Sequence, residues 1–463
     1  MTESNQATHI APMRPPCQDG VIVSNGHLYW GPWMCGCQLS LYGHIALAPQ
    51  EPKANDARAL WTAAEFDTVQ PLPVGEHDWP AYRGSNARDD RTSTRIPSAL
   101  KLQWQSEVSV GELPTAPVIA GGMIFVADRN GAVHAFDTIG DRIWTAYTGG
   151  AIYYAPAIAN DRLYVGSADG RVYALEARTG RTLWTYRVGP NEKRIPVYGK
   201  LINRWPVAGG VVVEGDTVYA AAGIAHYDGT HVVAIDAISG KLKAENSSSG
   251  TLSEEVNSGI SLQGNLMIVD DELRFLAGGV YETARYDLAT LKCLNQPKVQ
   301  VTSQFRTAFY PFYPAYGKYV TVDHDLADRS NLVLDASYEG NQFTDLALHG
   351  PLPEGVPKEQ KEAARWARRR GSAKPELRWR DKQRRRFTSV LISDELIVGG
   401  GHREGAEQSA FLWAVGISDG EDVWEVPLPS LPVKGGSALG PDGSIYVTLE
   451  NGQLLGLAPP TSD

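Results

Sequence analysis

Apolar residues alternate with polar or small ones through much of this chain. From Thr115 to Tyr147 the sequence TAPVIAGGMIFVADRNGAVHAFDTIGDRIWTAY holds four short runs: PVI, MIFVA, AVHAFD and RIWTAY. A period of two marks a strand with one face buried. Turn residues separate the runs, and Asn130-Gly131 is a tight-hairpin signal because both central residues of such a turn need positive φ. The segment Tyr154–Tyr186, YAPAIANDRLYVGSADGRVYALEARTGRTLWTY, repeats the pattern with Asp169-Gly170 at its hairpin. Pro117 falls on Pro156, Phe125 on Tyr164, Gly131 on Gly170, Phe136 on Leu175 and Trp144 on Trp184, an offset of 39 residues that rises to 40 at the tryptophan.

The unit recurs with decay. Pro206–Glu245 contains VVVEGDTVYAAAG and THVVAIDAISGKLKA, and Ser258–Leu294 contains ISLQGNLMIV and ETARYDLATLKCL. A further copy around Pro314–Leu348 keeps KYVTV and NLVLDAS, and Phe387–Trp424 reads FTSVLISDELIVGGG and FLWAVGISDGEDVW. Four antiparallel strands per ~40 residues make one blade of a β-propeller. The last copy, Lys434–Leu457, ends one strand short, and LKLQWQSEV at Leu100–Val108 supplies a strand just before the first full copy. An early strand completing the last blade removes open edges. The expectation is an all-β, seven-bladed propeller of four-stranded antiparallel blades, closed in that way. Residues 18–48, with DGVIVSNGHLYW and LSLYGHIALAP, look like the inner strands of another blade, which leaves eight blades as the alternative. The domain expectation is an N-terminal Cys-containing segment over 1–75 and the propeller over 76–463. Glycine precedes tryptophan by four residues at Gly140/Trp144, Gly180/Trp184 and Gly420/Trp424. Such a corner is expected to dock each indole between adjacent blades, as structural burial rather than a cofactor floor.

Composition agrees with this reading: 47 Gly, 29 Pro, 20 Tyr and 12 Trp among 463 residues favour turns and strands over helices. A repeat architecture lets one closed domain exceed the usual domain length. The net charge of −10 argues against wholesale nucleic-acid binding. One stretch departs from it: residues 358–386 carry thirteen Lys/Arg against four Asp/Glu. Pro357–Arg370 within it reads as a helix, with Pro at its start, Glu early, Arg late and Gly371 as a stop. A charged, solvated insertion over about 350–386 is the simpler account, and electrostatic binding of a polyanion the sharper one. No run of 18 apolar residues is present, so no spanning helix is expected. The first residues lack a basic stretch followed by an apolar one, so no signal peptide is read there.

The unit A-x-D/E-x3-G-x3-W, seen as ALEARTGRTLW at Ala174–Trp184, resembles the PQQ-like repeat of quinoprotein alcohol dehydrogenases and of a lipoprotein propeller of outer-membrane assembly. The chain is most similar to the C-terminal part of large planctomycete-type PQQ-binding-like β-propeller repeat proteins. The matching elements are DWPAYRG at Asp78–Gly84, RIPVYGKLINRWPV at Arg194–Val207, FTSVLISDELIVGGG at Phe387–Gly401 and the stretch Cys17–Pro49. That resemblance implies the end of a longer, exported protein, in the periplasm or cell envelope. It also raises pyrroloquinoline quinone and calcium as possible cofactors. Quinone chemistry needs a central cavity, a Ca²⁺ held by hard oxygens and a carboxylate base beside the reactive carbonyl. The family's dehydrogenases add a disulfide between adjacent cysteines, and this chain has no Cys-Cys pair. Nor does an Asp/Asn/Glu ligand trio stand out. The expectation is therefore a non-catalytic, monomeric binding or scaffold module with no catalytic residues, for a protein or carbohydrate-like ligand. A quinone- and calcium-dependent oxidoreductase acting on alcohols or sugars is the alternative.

Two residue groups remain as candidate sites. Cys17, Cys35 and Cys37 form C-x17-C-x-C, which with His44 makes either a thiolate metal site of atypical spacing or a set of disulfide-bonded or free thiols. Arg194, Tyr198, Lys200, Arg204 and Trp205 interrupt a blade, and His226 with Tyr227 lies in the next insertion. A cation beside aromatics at a propeller mouth suits an anionic or sugar-like group, whereas packing of Arg on Trp is the plain alternative.

Overall fold

The structure, a computed structural model, describes residues 21–30, 45–47, 58–61, 68–197, 200–225, 228–252, 259–277, 283–296, 324–325, 331–336, 342–351 and 376–460. The cysteines Cys17, Cys35 and Cys37, His44, Tyr198, His226, Tyr227 and the basic segment Pro357–Arg370 lie outside the described residues. Among the described residues there is no α-helix, and none long and apolar enough to cross a membrane.

The strands form blade-like antiparallel sheets. Blade A comprises Val118–Ala120, Met123–Ala127, Ala132–Asp137 and Arg142–Tyr147, hydrogen-bonded in that order. Blade B is Ala157–Ala159, Arg162–Gly166, Arg171–Glu176 and Thr182–Arg187, and blade C is Val211–Glu214, Thr217–Ala222, His231–Asp236 and Leu242–Asn246. Blade D has three named strands, Met267–Val269, Glu272–Leu276 and Thr283–Asp287, with a bridge from Tyr286 to Cys293. Blade E is His324–Asp325, Asn331–Ala336, Phe343–His349 and Leu377–Arg380. A single pairing of Phe343 with Phe387 joins it to blade F, which is Arg385–Ile392, Leu396–Arg403, Ala406–Gly416 and Asp422–Pro427. Blade G takes Pro432–Leu439, Ile445–Leu449 and Gln453–Ala458 from the end of the chain, and its outer strand, Lys101–Glu107, from far earlier.

The chain packs as two compact units, Met1–Val74 with Phe125–Ala135 and Arg142–Val320, and Gly75–Ile124 with Phe136–Asp141 and Thr321–Asp463. In the first, alternating residues of blades B and C interdigitate: Tyr164, Val172, Ala174, Leu183 and Trp184 pack on Val218, Ala220, Val233 and Ile235. In the second, Leu391, Ile397, Leu412, Trp413, Ala438, Val447 and Leu454 are buried. The hairpins form where the turn residues predict, but only the glycine of each pair takes positive φ, +85° at Gly131 and +89° at Gly170, so these are not turns with two positive-φ residues as the Asn-Gly and Asp-Gly pairs suggested. Asp128 adds an Asx turn, its carboxylate accepting from the amides of Asn130 at 2.9 Å and Ala132 at 3.0 Å.

The tryptophans of the outer strands pack on the corner of the following blade. Trp144 of blade A donates its indole N–H to the Ala177 carbonyl of blade B at 3.1 Å. A Cβ on Gly180, at φ +74°, would lie 2.6 Å from that indole ring. Trp184 donates to Ala237 at 3.1 Å. Trp104 donates to Thr138 at 2.9 Å, and Trp379 to Ile417 at 2.7 Å. Gly240, Gly140 and Gly420 are the corner glycines under these three rings. Trp424 donates to Pro97 at 2.9 Å, on the segment leading into blade G's borrowed strand. Removing ~200 Å² of indole from water at ~25 cal/mol per Å² contributes about 5 kcal/mol for a fully covered ring such as Trp184.

The N-terminal region adds two features. Val21–Ser24, His27–Trp30 and Ile45–Leu47 form a three-stranded sheet whose first strand is exposed. Ala59–Trp61 pairs with Thr182–Arg187 as a fifth strand on the outer edge of blade B.

Candidate functional site

Between the outer strand of blade B and the inner strand of blade C, the chain inserts a hairpin of Arg194–Val197 against Lys200–Asn203. The Arg204 amide continues it by donating to the Lys193 carbonyl at 2.7 Å. Asn203 fixes the exit, its Oδ1 accepting from the Trp205 amide at 2.9 Å and its own amide donating to Ala168 at 2.7 Å. Arg194 is exposed. Lys200 donates from Nζ to the Arg129 carbonyl at 2.9 Å, and the Arg129 guanidinium sits 5.8 Å from the centre of the Tyr153 ring.

Arg204 and Trp205 turn inward. The Arg204 guanidinium pairs with the carboxylate of Asp228, whose side chain is fully buried, and lies 5.3 Å from the centre of the Trp205 ring. Trp205 is buried and donates its indole N–H to the Asp228 carbonyl at 2.8 Å. Its ring meets His231 edge-on at 6.2 Å, and His231 Nδ1 lies 3.6 Å from Glu245 Oε1. Glu245 accepts from Arg58 at 2.9 and 3.0 Å, and Arg58 also donates to the Val188 carbonyl at 2.8 Å. Burial lowers the His231 pKa, and the Arg58 charge adds to that against the attraction of Glu245. The hydrogen bonds from Arg58 hold Glu245 below the usual carboxylate range. Burial, then the neighbouring Arg204 charge, lowers the Lys193 pKa. The chemistry is that of a closed network, in which acids and bases neutralise each other across the base of the hairpin.

The second unit holds a parallel arrangement that sequence reasoning missed. Arg83 donates from Nε to both oxygens of Asp90 at 2.9 and 3.0 Å, and both side chains are buried. Trp79 lies under Gly84, where a Cβ would stand 2.9 Å from the ring, and Tyr82 lies under Gly435. Burial and the Arg83 charge press the Lys434 amine well below its usual pKa. The motif Asp78–Gly84 was visible as a string, but the partners Asp90 and Lys434 sit at separations that no repeat predicts. Asp228, two positions from the singled-out His226, carried the nearest available signal in the first unit. Arg58 and Glu245 carried none.

At the hairpin the described acids do not offer the hard-oxygen set that a calcium ion requires. The acids nearest the hairpin are held by guanidinium groups, Asp228 by Arg204 and Glu245 by Arg58. No cluster of three or more His, Cys, Asp or Glu that could hold a metal occurs among the described residues.

Antiparallel blades, most of them four-stranded and several docking an outer-strand tryptophan on the next corner, are the sheets of the β-propeller class. Residues 98–326 match the family model described as "Outer membrane protein assembly factor BamB", and over that stretch the chain is similar to PQQ-like repeat β-propellers. Among solved structures, a europium-containing methanol dehydrogenase is similar with a TM-score of 0.56 at 13% identity, over 83% of this chain and 98% of its own. A quinohemoprotein alcohol dehydrogenase from Comamonas testosteroni gives 0.54 at 15% identity, over 84% and 83%. Another from Pseudomonas putida gives 0.52 at 12%, over 84% and 82%. At these identities the likeness shows the fold alone. No curated protein matches the sequence.

Proposed function

We propose that this chain is a non-catalytic propeller that binds a protein partner as a scaffold in the cell envelope. One observation carries the reading: charged side chains at the hairpin are engaged with each other in Arg204–Asp228 and Arg58–Glu245 pairs, an arrangement that holds a shape rather than a reaction. The description of the matching family model, an outer-membrane assembly factor, supports both the compartment and the class of partner. In this reading seven blades close into one ring over residues 76–463, Ala59–Trp61 of the preceding segment reinforces the edge of blade B, and the molecule is a monomer. Exposed Arg194 is the contact residue for a protein or carbohydrate-like group, on the support of Arg204 and Trp205, and Tyr198 and His226 of the same two insertions are proposed to join it.

Incubation of the purified protein with pyrroloquinoline quinone and Ca²⁺, followed by gel filtration and a dye-linked assay with alcohols and sugars, tests the proposal. The expected result is no quinone absorbance in the protein peak and no turnover. Saturable quinone binding together with turnover would overturn it in favour of an oxidoreductase.

A further inference from the structure

Most described seams between neighbouring blades join an indole from one outer strand to a positive-φ glycine at the next corner. The seam from blade C to blade D breaks both halves of that pair. Ala244 stands where the tryptophan belongs, facing Ala234 across the ladder as Trp184 faces Ala174 one blade earlier. At the corner of blade D the glycine position holds Leu291. Its amide donates to Asp287 at 2.8 Å, as Gly240 donates to Asp236 and Gly180 to Glu176, each at 2.9 Å. It also has their backbone conformation, with φ +54° against +68° and +74°.

The seam is therefore filled from the opposite side. The Leu291 side chain is fully buried with Val212, Tyr219, Val232, Leu273 and Tyr286, in space that a Trp at 244 would otherwise need. The exchange has two physical consequences. At the B-to-C seam the Ala237 carbonyl accepts from Tyr164 at 3.0 Å and Trp184 at 3.1 Å, whereas at the C-to-D seam the Leu288 carbonyl accepts from Tyr219 at 3.3 Å. Asn246 adds one bond to the Leu291 carbonyl at 2.8 Å. A leucine in the left-handed region is also strained where glycine is not, and the strain is released when the corner lets go. Two side-chain bonds reach the corner at each of these seams, so it is the lost indole and the strain at Leu291 that weaken the C-to-D seam relative to those on either side of blades A and B.

We infer that the seam between blades C and D is where this propeller opens. The corner Asp287–Leu294 parts from the outer strand Leu242–Asn246 in the native ensemble more often than the B-to-C corner parts from its own tryptophan strand. Half-buried Cys293 sits on the moving corner, paired with Tyr286, and becomes accessible with it.

Amide exchange of the full chain supplies matched probes. The Leu288 and Leu291 amides bond to Asp271 and Asp287, as those of Ala237 and Gly240 bond to Asp216 and Asp236. After correction for intrinsic rates, the first pair is expected to exchange at least tenfold faster, and equal or greater protection there would overturn the inference. In a background of Cys17→Ser, Cys35→Ser and Cys37→Ser, Cys293 reports the same opening through its rate of reaction with a thiol reagent. Installing the missing wedge with Ala244→Trp and Leu291→Gly together is expected to slow that reaction at least tenfold. An unchanged or faster rate in the folded double variant contradicts the opening, and if that variant does not fold, the amide comparison in the unaltered protein decides.

Discussion

Gly180 lies beneath the Trp144 indole, and two separate constraints keep a side chain out of its position. Its φ of +74° disfavours any L-residue, and a Cβ would stand 2.6 Å from the ring. Gly122 shares the same φ of +74° with nothing within 4 Å of a Cβ, so the two positions separate backbone strain from docking. Gly122→Ala is expected to cost about 1 kcal/mol, the price of the left-handed conformation alone. Gly180→Ala is expected to cost about 3 kcal/mol, because the ring must also move in a filled core. Urea titration of the two variants checks the difference, and equal midpoints would show that the ring gives way freely. The glycine-before-tryptophan spacing was legible in the sequence, but the identity of the docking partners was not. Spacing pairs Gly180 with its own Trp184, whereas the structure sets it under Trp144 of the preceding blade. Trp379 escaped notice because the stretch from 350 to 376 separates its strand from the rest of blade E, which erases the period.

At the scale of elements, apolar runs bounded by turn residues marked many of the described strands, although Met123–Ala127, Arg162–Gly166 and Thr217–Ala222 are buried on both faces rather than the one that alternation implies. The assignment of Lys101–Glu107 to the last blade was legible for the same reason: a blade one strand short and a strand without a blade call for each other. Ala59–Trp61 was not legible, since three residues carry no period. Arg58 anchors that strand, its carbonyl accepting from the Arg187 amide at 2.7 Å and its guanidinium bridging to Glu245. Arg58→Ala is expected to lower global stability by about 1 kcal/mol, since the pair is partly exposed. The local effect is expected to be larger, with about tenfold faster exchange at the Arg187 amide. Unchanged exchange there would mean that the strand holds without its arginine. The network of Arg204, Asp228, Trp205 and His231 was half legible: the arginine and tryptophan stood out as an interruption of the blade, but the acid that neutralises them lies one insertion later.

For the whole molecule, acid is the informative stress. Hydrogen bonds from Arg171, Arg58 and Arg285 hold Glu192, Glu245 and Glu272 respectively below the ordinary 4.5. Carboxyls whose pKa is lower in the folded than in the unfolded chain contribute stability that is fully present above 4.5 and lost as pH falls through their folded values. The urea midpoint is therefore expected to decline steadily below about pH 4.5, and less steeply in high salt, which already weakens the ion pairs. A midpoint that rises between pH 5 and pH 3 would show that these pairs do not govern acid stability. The borrowed outer strand of blade G bears on biosynthesis as well. Lys101–Glu107 leaves the ribosome ~350 residues ahead of Gln453–Ala458, so the nascent protein must carry an unsatisfied β-edge while all of that intervening stretch is made. A holdase that shields that edge until Gln453–Ala458 emerges would determine how much of the newly made polypeptide escapes aggregation.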